Sequence, residues 1–386
     1  MLASSVSLQT KLPAVGKTIF SKMSEMALEY GAINLSQGFP DAQLDPLLQE
    51  EVTKAMLANK NQYAPAAGTL ELRTAISKYA KRQFEQSYDP QSEVLITSGA
   101  TQALQSAITA LVKEGDEVII FTPAYDSYVP AVELAGATPV YCRLKYPDYS
   151  IDWKEFKRLV NRKTKLVILN SPHNPSGRLL SSADIDQLIR LTDGTDILIL
   201  SDEVYHNILF DGKDHHSMAS YPKLAERSIV VGSLGKMLNV TGWKIGFCLA
   251  PKLILSEILK VHQYTVFSVN TPMQLGVASF LEKYPNKINE LLSPLQAKRD
   301  LFVKEISKGK FKALPCDGSY FCLLNYSEIS DEDDVKFSEW LAKEVRVSAI
   351  PLSVFYHNPE QNKVLRFCFA KEDDVLIEAA KRLNAL

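Results

Sequence analysis

The chain has 386 residues, well beyond the roughly 150 typical of one domain, so two lobes or one elaborated domain are expected. Hydrophobic residues make up 46% and charged residues 23%, a balance that excludes a disordered, collagenous or coiled-coil chain. Forty-three basic against 45 acidic side chains leave a formal net charge of -2, without the electrostatic footprint of a protein that binds nucleic acid or an anionic membrane, so small-molecule chemistry is the better expectation.

The first forty residues read as loop-rich, and their Lys11, Lys17 and Lys22, with no arginine and no apolar stretch, make only a faint targeting signal. Between residues 93 and 250 short apolar runs recur at 93–97, 117–121, 138–143, 165–170, 197–201, 228–233 and 245–250, each bounded by turn residues. Most are separated by helical patterns such as Leu104, Ile108 and Leu111, spaced i, i+4, i+7. This alternation predicts an α/β fold: a seven-stranded, mostly parallel sheet with helices on both faces. The last two runs are joined by about a dozen Gly-rich residues, too few for a full crossover, so one reversed strand is expected. A helix over 251–266 carries the chain onward, and from about residue 275 helices mix with short strands at 318–324 and 364–369. The expected division is a large part over 41–274 and a smaller α+β part built from 1–40 and 275–386. The acidic run at 330–334 reads as a solvated helix start.

Ligands of open α/β sheets bind beyond the carboxyl ends of the strands, and those ends are polar here. The first run ends in Ser98-Gly99-Ala100-Thr101 and opens a helix, which offers free backbone N–H groups to an anion, although Ser98 reads equally as an N-cap. The fourth ends in Ser171-Pro172-His173-Asn174-Pro175, a rigid turn around Asn174. The fifth ends in Asp202, a carboxylate at risk of burial that then needs a cationic partner. The sixth ends in Gly232-Ser233-Leu234-Gly235-Lys236, which suggests phosphate binding or imine chemistry.

A P-loop would need glycine at 230 and Ser or Thr at 237, where Val230 and Met237 stand, and no GxGxxG follows a strand. His173, His206, His215, His216, His262 and His357 have no metal-ligand spacing, so no metal is expected. Five widely spread cysteines, odd in number and never CxxC, point to a reducing compartment. Apolar stretches are strand-sized, far short of the roughly 20 residues that span a bilayer, and a cytoplasmic protein is expected.

Taken together, Asn174-Pro175-x-Gly177, Asp202-x-x-Tyr205, Ser233-x-x-Lys236, Lys244 and Arg366 resemble the class I and II aminotransferases, pyridoxal phosphate enzymes of fold type I. The resemblance runs from Leu35-Ser36-Gln37-Gly38-Phe39-Pro40 to Arg366. Gln62-Tyr63-Ala64 and Thr241-Gly242-Trp243-Lys244 make the chain most similar to the methionine aminotransferases and the kynurenine and glutamine transaminases.

The resemblance implies a role for each residue. Lys236 resembles the lysine that holds the cofactor as an imine and moves the substrate proton. Asp202 resembles the partner of the pyridine nitrogen, and Asn174 and Tyr205 the pair that bonds the phenolic oxygen. Tyr125 resembles the ring that stacks on the cofactor, with Tyr128 as the nearby alternative. The phosphate would rest on Gly99, Ala100 and Thr101, with Ser233 and Lys244 adding a hydroxyl and a charge. Much of the family has arginine at the Lys244 position, so a point charge replaces a planar fork. Tyr63 resembles the tyrosine that reaches the phosphate of the neighbouring subunit, which implies a homodimer; by itself it reads as a surface aromatic in a turn. Arg366 resembles the residue that grips the substrate α-carboxylate, assisted by Asn174 and Gly38.

The reaction implied is ping-pong transfer of an amino group to a 2-oxo acid, the alternative being a kynurenine or glutamine transaminase with cysteine-conjugate β-lyase activity. Enzymes of the family that take dicarboxylic donors place a second arginine, entering from the partner subunit, some thirty residues after the lysine. None stands here between Arg227 and Arg299. Residues 262–270, with Ile19 and Phe20, are expected to line an apolar slot for methionine or another bulky neutral or aromatic amino acid.

Overall fold

Continuous apolar runs become strands buried on both faces. The computed structural model describes residues 9–13, 15–358 and 362–386. Its main sheet consists of β1 (Val94–Thr97), β2 (Glu117–Thr122), β3 (Thr138–Lys145), β4 (Ser150–Ile151), β5 (Thr164–Asn170), β6 (Leu198–Asp202), β7 (Ser228–Ser233) and β8 (Gly246–Leu249). The strand order is β1-β8-β7-β6-β5-β2-β3-β4. Successive residues serve opposite faces: Ile119, Val167 and Ile199 join one core cluster, Ile120, Ile168 and Leu200 the other. Each such side chain, fully buried, contributes about 1.5–3 kcal/mol of transfer free energy. Helices Gly99–Leu111 and Lys252–Thr265 cover the second face, and Leu70–Phe84 and Ser182–Thr192 the first.

Eight strands stand where seven were expected. The extra one is β4, a two-residue edge strand antiparallel to β3 and too short to show as an apolar run. The reversed strand is β8, antiparallel to both β7 and β1, because only short helical turns separate it from β7. With β4 there are two reversed strands, not one. The carboxyl ends of β1, β5, β6 and β7 therefore share one edge of the sheet, with Asn170 opposite Asp202 in register and Ser233 opposite Gly246, the first residue of β8.

A second antiparallel sheet, β9 (Lys312–Ala313), β10 (Phe321–Asn325), β11 (Ile350–Pro351) and β12 (Val364–Cys368), runs in the order β9-β10-β12-β11. The strand expected at 318–324 starts three residues later, because Gly318 instead bridges Leu209. The loop-rich reading of the first forty residues is corrected by helix Ile19–Tyr30, capped by Thr18 and ended by Gly31 in the left-handed region. Its Ile19, Met23, Met26 and Ala27 lie at helical spacing, a signal that reading overlooked. Ile33–Asn34 then pairs in parallel with Val347–Ser348, which joins the two ends of the chain. The targeting stretch falls partly outside the described residues, at 1–8 and 14. The acidic run is not simply solvated: Asp333 caps helix Asp334–Trp340, and Asp334 is buried, accepting from the N–H and hydroxyl of Ser353. Among the described residues no helix is long and apolar enough to cross a membrane.

Candidate active site

At the shared strand edge lies a cavity of about 340 Å³. The candidate cofactor and substrate residues line it except Tyr63 and Tyr128, the alternative to Tyr125. At one end helix Gly99–Leu111 points its N-terminus inward, and Ser98 gives it no side-chain cap, so the first-turn N–H groups at Ala100 and Thr101 are left for a ligand. Gly99 has φ +77, and a Cβ there would meet Lys244 Nζ at 3.4 Å. Gly246 is required by the same packing, since its Cβ would lie 2.8 Å from Ala100 N. Ser233 caps the short helix Leu234–Met237 by accepting from Lys236 N, which leaves its O–H free to donate. Backbone donors, a hydroxyl and an ammonium thus converge as an anion cradle.

Asp202 is a buried carboxylate with no cation paired to it among the described residues. Burial pushes its pKa up to about 6, against the pull of hydrogen bonds from the Tyr128 phenol (2.6 Å) and Val204 N (3.3 Å). Tyr128 thus lies beneath Asp202, not on the cavity wall where the alternative for Tyr125 put it; Tyr125 lines the cavity, edge-on to Tyr128 at 5.7 Å. Asn174 receives its own backbone constraint from Asn170 Oδ1 at 2.7 Å. The preceding His173 is buried, its pKa pushed down to about 4 by burial, and its neutral ring bridges Ser176 Oγ and Pro123 O. That bridge ties the Asn174 turn to the loop bearing Tyr125.

Lys236 extends to Gly38 O at 2.5 Å, with its Nζ over the Tyr205 and Tyr320 rings at 5.4 and 5.1 Å. Burial lowers its pKa to about 8, and neighbouring Arg366 and Lys244 push the same way. Tyr320 Oη donates to the Lys236 carbonyl, anchoring its backbone. Gly38 is necessary because a Cβ would sit 2.6 Å from Phe321 Cζ.

Arg366, 2% exposed, donates to Asn174 Oδ1 (2.8 Å) and Ser36 O (3.0 Å), while its Nε has no partner. Its guanidinium lies 3.8 Å from the centroid of Phe321 and within 5.3 Å of those of Phe20 and Phe355. Burial lowers its pKa to about 10, and no carboxylate is ion-paired with it among the described residues. It is a buried cation set to receive a planar anion.

Of the residues expected to form the apolar slot, Phe20 lines the cavity and Ile19 does not, while residues 262–270, the counterpart of a stretch that enters from the partner subunit, do not reach the cavity of their own chain. His262 is buried against Gln102 and Ala66 O, whereas Tyr264 and Phe267 are exposed where the helix over the sheet face reaches the surface. Tyr63, 81% exposed, sits edge-on to Phe267. Sequence reasoning did not single out Asp126, Asn170, Tyr320 or Phe321. Only Asn170 offered a signal, as a polar residue closing an apolar run level with Asp202.

Residues 30–383 match the family model for aminotransferase class I and II. The chain is 46% identical to the methionine aminotransferase of Escherichia coli K12, covering 98% of both chains. It is 33% identical to human kynurenine–oxoglutarate transaminase 3, over 97% of this chain and 89% of that protein. The crystal structure of YbdL from Escherichia coli, described as having a methionine aminotransferase function, superimposes with a TM-score of 0.96 at 46% identity, covering 99% of this chain and 100% of that one. A family model over most of the length and full-length relatives agree with the lysine, carboxylate and anion cradle at the strand ends: the chain belongs to the class I and II aminotransferases, enzymes that work with pyridoxal phosphate.

Proposed function

We propose that this aminotransferase takes methionine as its preferred amino donor, with other bulky neutral or aromatic amino acids following, and passes the amino group to a 2-oxo acid. The observation that carries the reading is Arg366: a buried cation without an acid partner, and the one arginine lining the cavity among the described residues. One carboxylate can be matched there, and a second cannot. Around it the wall offers the rings of Phe20 and Phe321, and Asp126 adds a negative charge. A distal carboxylate left unpaired costs about 3–5 kcal/mol, enough to reject aspartate by more than a hundredfold. The 46% identity to a methionine aminotransferase, against 33% to a kynurenine transaminase, supports methionine as first choice.

The residues present fit the cofactor. Asp202, a buried carboxylate with no cation, suits the protonated ring nitrogen, and the cradle at Gly99, Ala100, Thr101, Ser233 and Lys244 suits the phosphate. Tyr125 would pack on the ring, and Asn174 and Tyr205 would bond its phenolic oxygen. When bound, pyridoxal phosphate supplies a carbonyl carbon for the amino group and an electron-withdrawing ring that stabilises the electron pair left at Cα. The chain's own work is proton handling and alignment. Asp202 holds the proton at the ring nitrogen. Lys236 Nζ, whose pKa of about 8 leaves a sizeable neutral fraction at mildly alkaline pH, would take the proton from the substrate Cα and return it to the carbon that had been the cofactor's carbonyl. Arg366 fixes the α-carboxylate, so that the Cα–H bond is presented to that amine.

A homodimer is part of the same proposal, supported by the exposed aromatic patch of Tyr63, Tyr264 and Phe267. So is a cytoplasmic setting, supported by five buried free thiols. The division into 41–274 and a smaller part from 1–40 and 275–386 is supported by the pairing of Ile33–Asn34 with Val347–Ser348. The deciding experiment measures kcat/KM for methionine, phenylalanine, kynurenine, glutamine and aspartate with one oxo acid held fixed. Methionine should lead and aspartate should trail. Aspartate leading would overturn the substrate assignment.

A further inference from the structure

Asn170 is the last residue of β5 and stands in register opposite Asp202 on β6. Its side chain uses both ends of the amide: Nδ2 donates to the Asp202 carbonyl at 2.8 Å, and Oδ1 accepts from Asn174 N at 2.7 Å. A flipped amide would set oxygen against oxygen at one contact and N–H against N–H at the other, so the orientation is unique. The two backbones it joins lie 28 positions apart in the chain, and both carry side chains that line the cavity. Each of those is steadied by a further bond, Asp202 by the Tyr128 phenol and Asn174 by the Arg366 guanidinium. Asn170 also lines the cavity, so its amide is spent on alignment at the site and not on closing a distant strand end.

We infer that Asn170 is a positioning residue, whose one side chain keeps Asp202 and Asn174 in register so that both act on the same cofactor ring. This rests on the proposed function, in which those two residues hold the ring. No other standard side chain does the same. Aspartate keeps the shape and the acceptor but loses the donor, and alanine loses both. Serine is too short to span the two backbones, and glutamine adds a methylene that pushes the amide past them.

The test compares Asn170→Asp and Asn170→Ala with the wild-type enzyme by three measurements. These are the dissociation constant for pyridoxal phosphate on reconstituting the apoenzyme, the pH midpoint at which the bound cofactor's absorption changes, and the melting temperature of the apoenzyme. Ile306→Val, a core change in the helix Pro294–Ile306 away from the cavity, serves as a control for lost stability alone. Losing one or two hydrogen bonds that align the site should raise the dissociation constant about tenfold and move the absorption midpoint by about half a pH unit or more. Ile306→Val should lower the melting temperature while leaving both unchanged. A dissociation constant within twofold of wild type together with an unmoved midpoint in Asn170→Asp overturns the inference, as does a change that Ile306→Val reproduces. Should Asn170→Ala fail to fold, the near-isosteric Asn170→Asp decides alone. A wild-type apoenzyme that takes up no pyridoxal phosphate would instead sink the proposed function, so the two failures are distinct.

Discussion

The phenol of Tyr128 donates a 2.6 Å hydrogen bond to Asp202 Oδ2, and both groups are buried. Burial alone drives a carboxyl toward its neutral form, and this bond pulls the other way, so Tyr128 helps to keep Asp202 ionised. Tyr128→Phe should therefore raise the pKa of Asp202 above its present value of about 6. A hydrogen bond to a charged group contributes about 1.5–3 kcal/mol, or one to two pH units. Because the ionised form is the useful one, the acid limb of the kcat/KM profile should move to higher pH, with the loss larger at pH 6 than at pH 8.5. A limb that stays in place would show that Tyr128 only fills space.

Lys236→Ala should abolish turnover while leaving the fold intact, because of the two lysines lining the cavity Lys244 belongs to the anion cradle, and among the described residues the Lys236 ammonium donates only to Gly38 O and makes no ion pair. Borohydride reduction of the wild type followed by peptide mass spectrometry should find the cofactor on Lys236. Recovery of the label on another lysine would refute the assignment.

Asp126 lines the cavity, and burial raises its carboxyl above the usual range while the positive charge of Arg366 pulls it back down. Its negative charge adds to the rejection of dicarboxylic donors. Asp126→Asn should raise kcat/KM for glutamate and aspartate about tenfold, equivalent to about 1.4 kcal/mol, and change methionine by less than about threefold. A uniform change across all donors would mean that Asp126 shapes the site without selecting.

Just past the end of β6, buried Glu203 accepts from His215 Nε2 (2.8 Å), Ser201 Oγ (2.8 Å) and Met218 N (3.0 Å). Burial raises its carboxyl, but the charge and hydrogen bond of His215, with hydrogen bonds from Ser217 and Met218 N, outweigh that and leave it below the ordinary value. A depressed folded-state pKa contributes stability that is present above the unfolded value, near 4.3, and lost as pH falls through the folded one. Glu203→Gln should therefore lower the melting temperature by several degrees at pH 7, since each buried hydrogen bond to a charged group contributes about 1.5–3 kcal/mol. The gap should narrow as pH falls below the unfolded value of about 4.3 and on through the depressed folded one, where the wild-type carboxyl also takes up its proton. Calorimetry from pH 7 downward checks both statements, and a gap independent of pH would remove the charge from the explanation.

If Tyr63 completes the site of a second subunit, mixing a Lys236→Ala chain with an inactivating Tyr63 variant should regenerate activity through one intact composite site per heterodimer. Sedimentation that finds only monomers would end the idea.

The class of sheet, seven of the eight strands with their directions, and most of the polar groups facing the cavity were legible in the amino-acid sequence. Apolar runs bounded by turns report burial on both faces. The residues that close those runs, Asn174, Asp202 and Lys236 among them, report where the sheet meets its ligand. What it could not determine was which strand lies beside which. The insertion of β8 between β7 and β1, which sets Gly246 against Ala100 and forms the anion cradle, is a long-range pairing with no local signature. Nor does periodicity record what a side chain meets across a gap. The contact of Tyr128 with Asp202, the bridge made by Asn170, and the place of Arg366 between three aromatic rings all join positions far apart in the chain. These contacts arise from packing, because the orientation of a buried hydrogen bond is set by the elements that carry both partners, and local sequence specifies one element at a time.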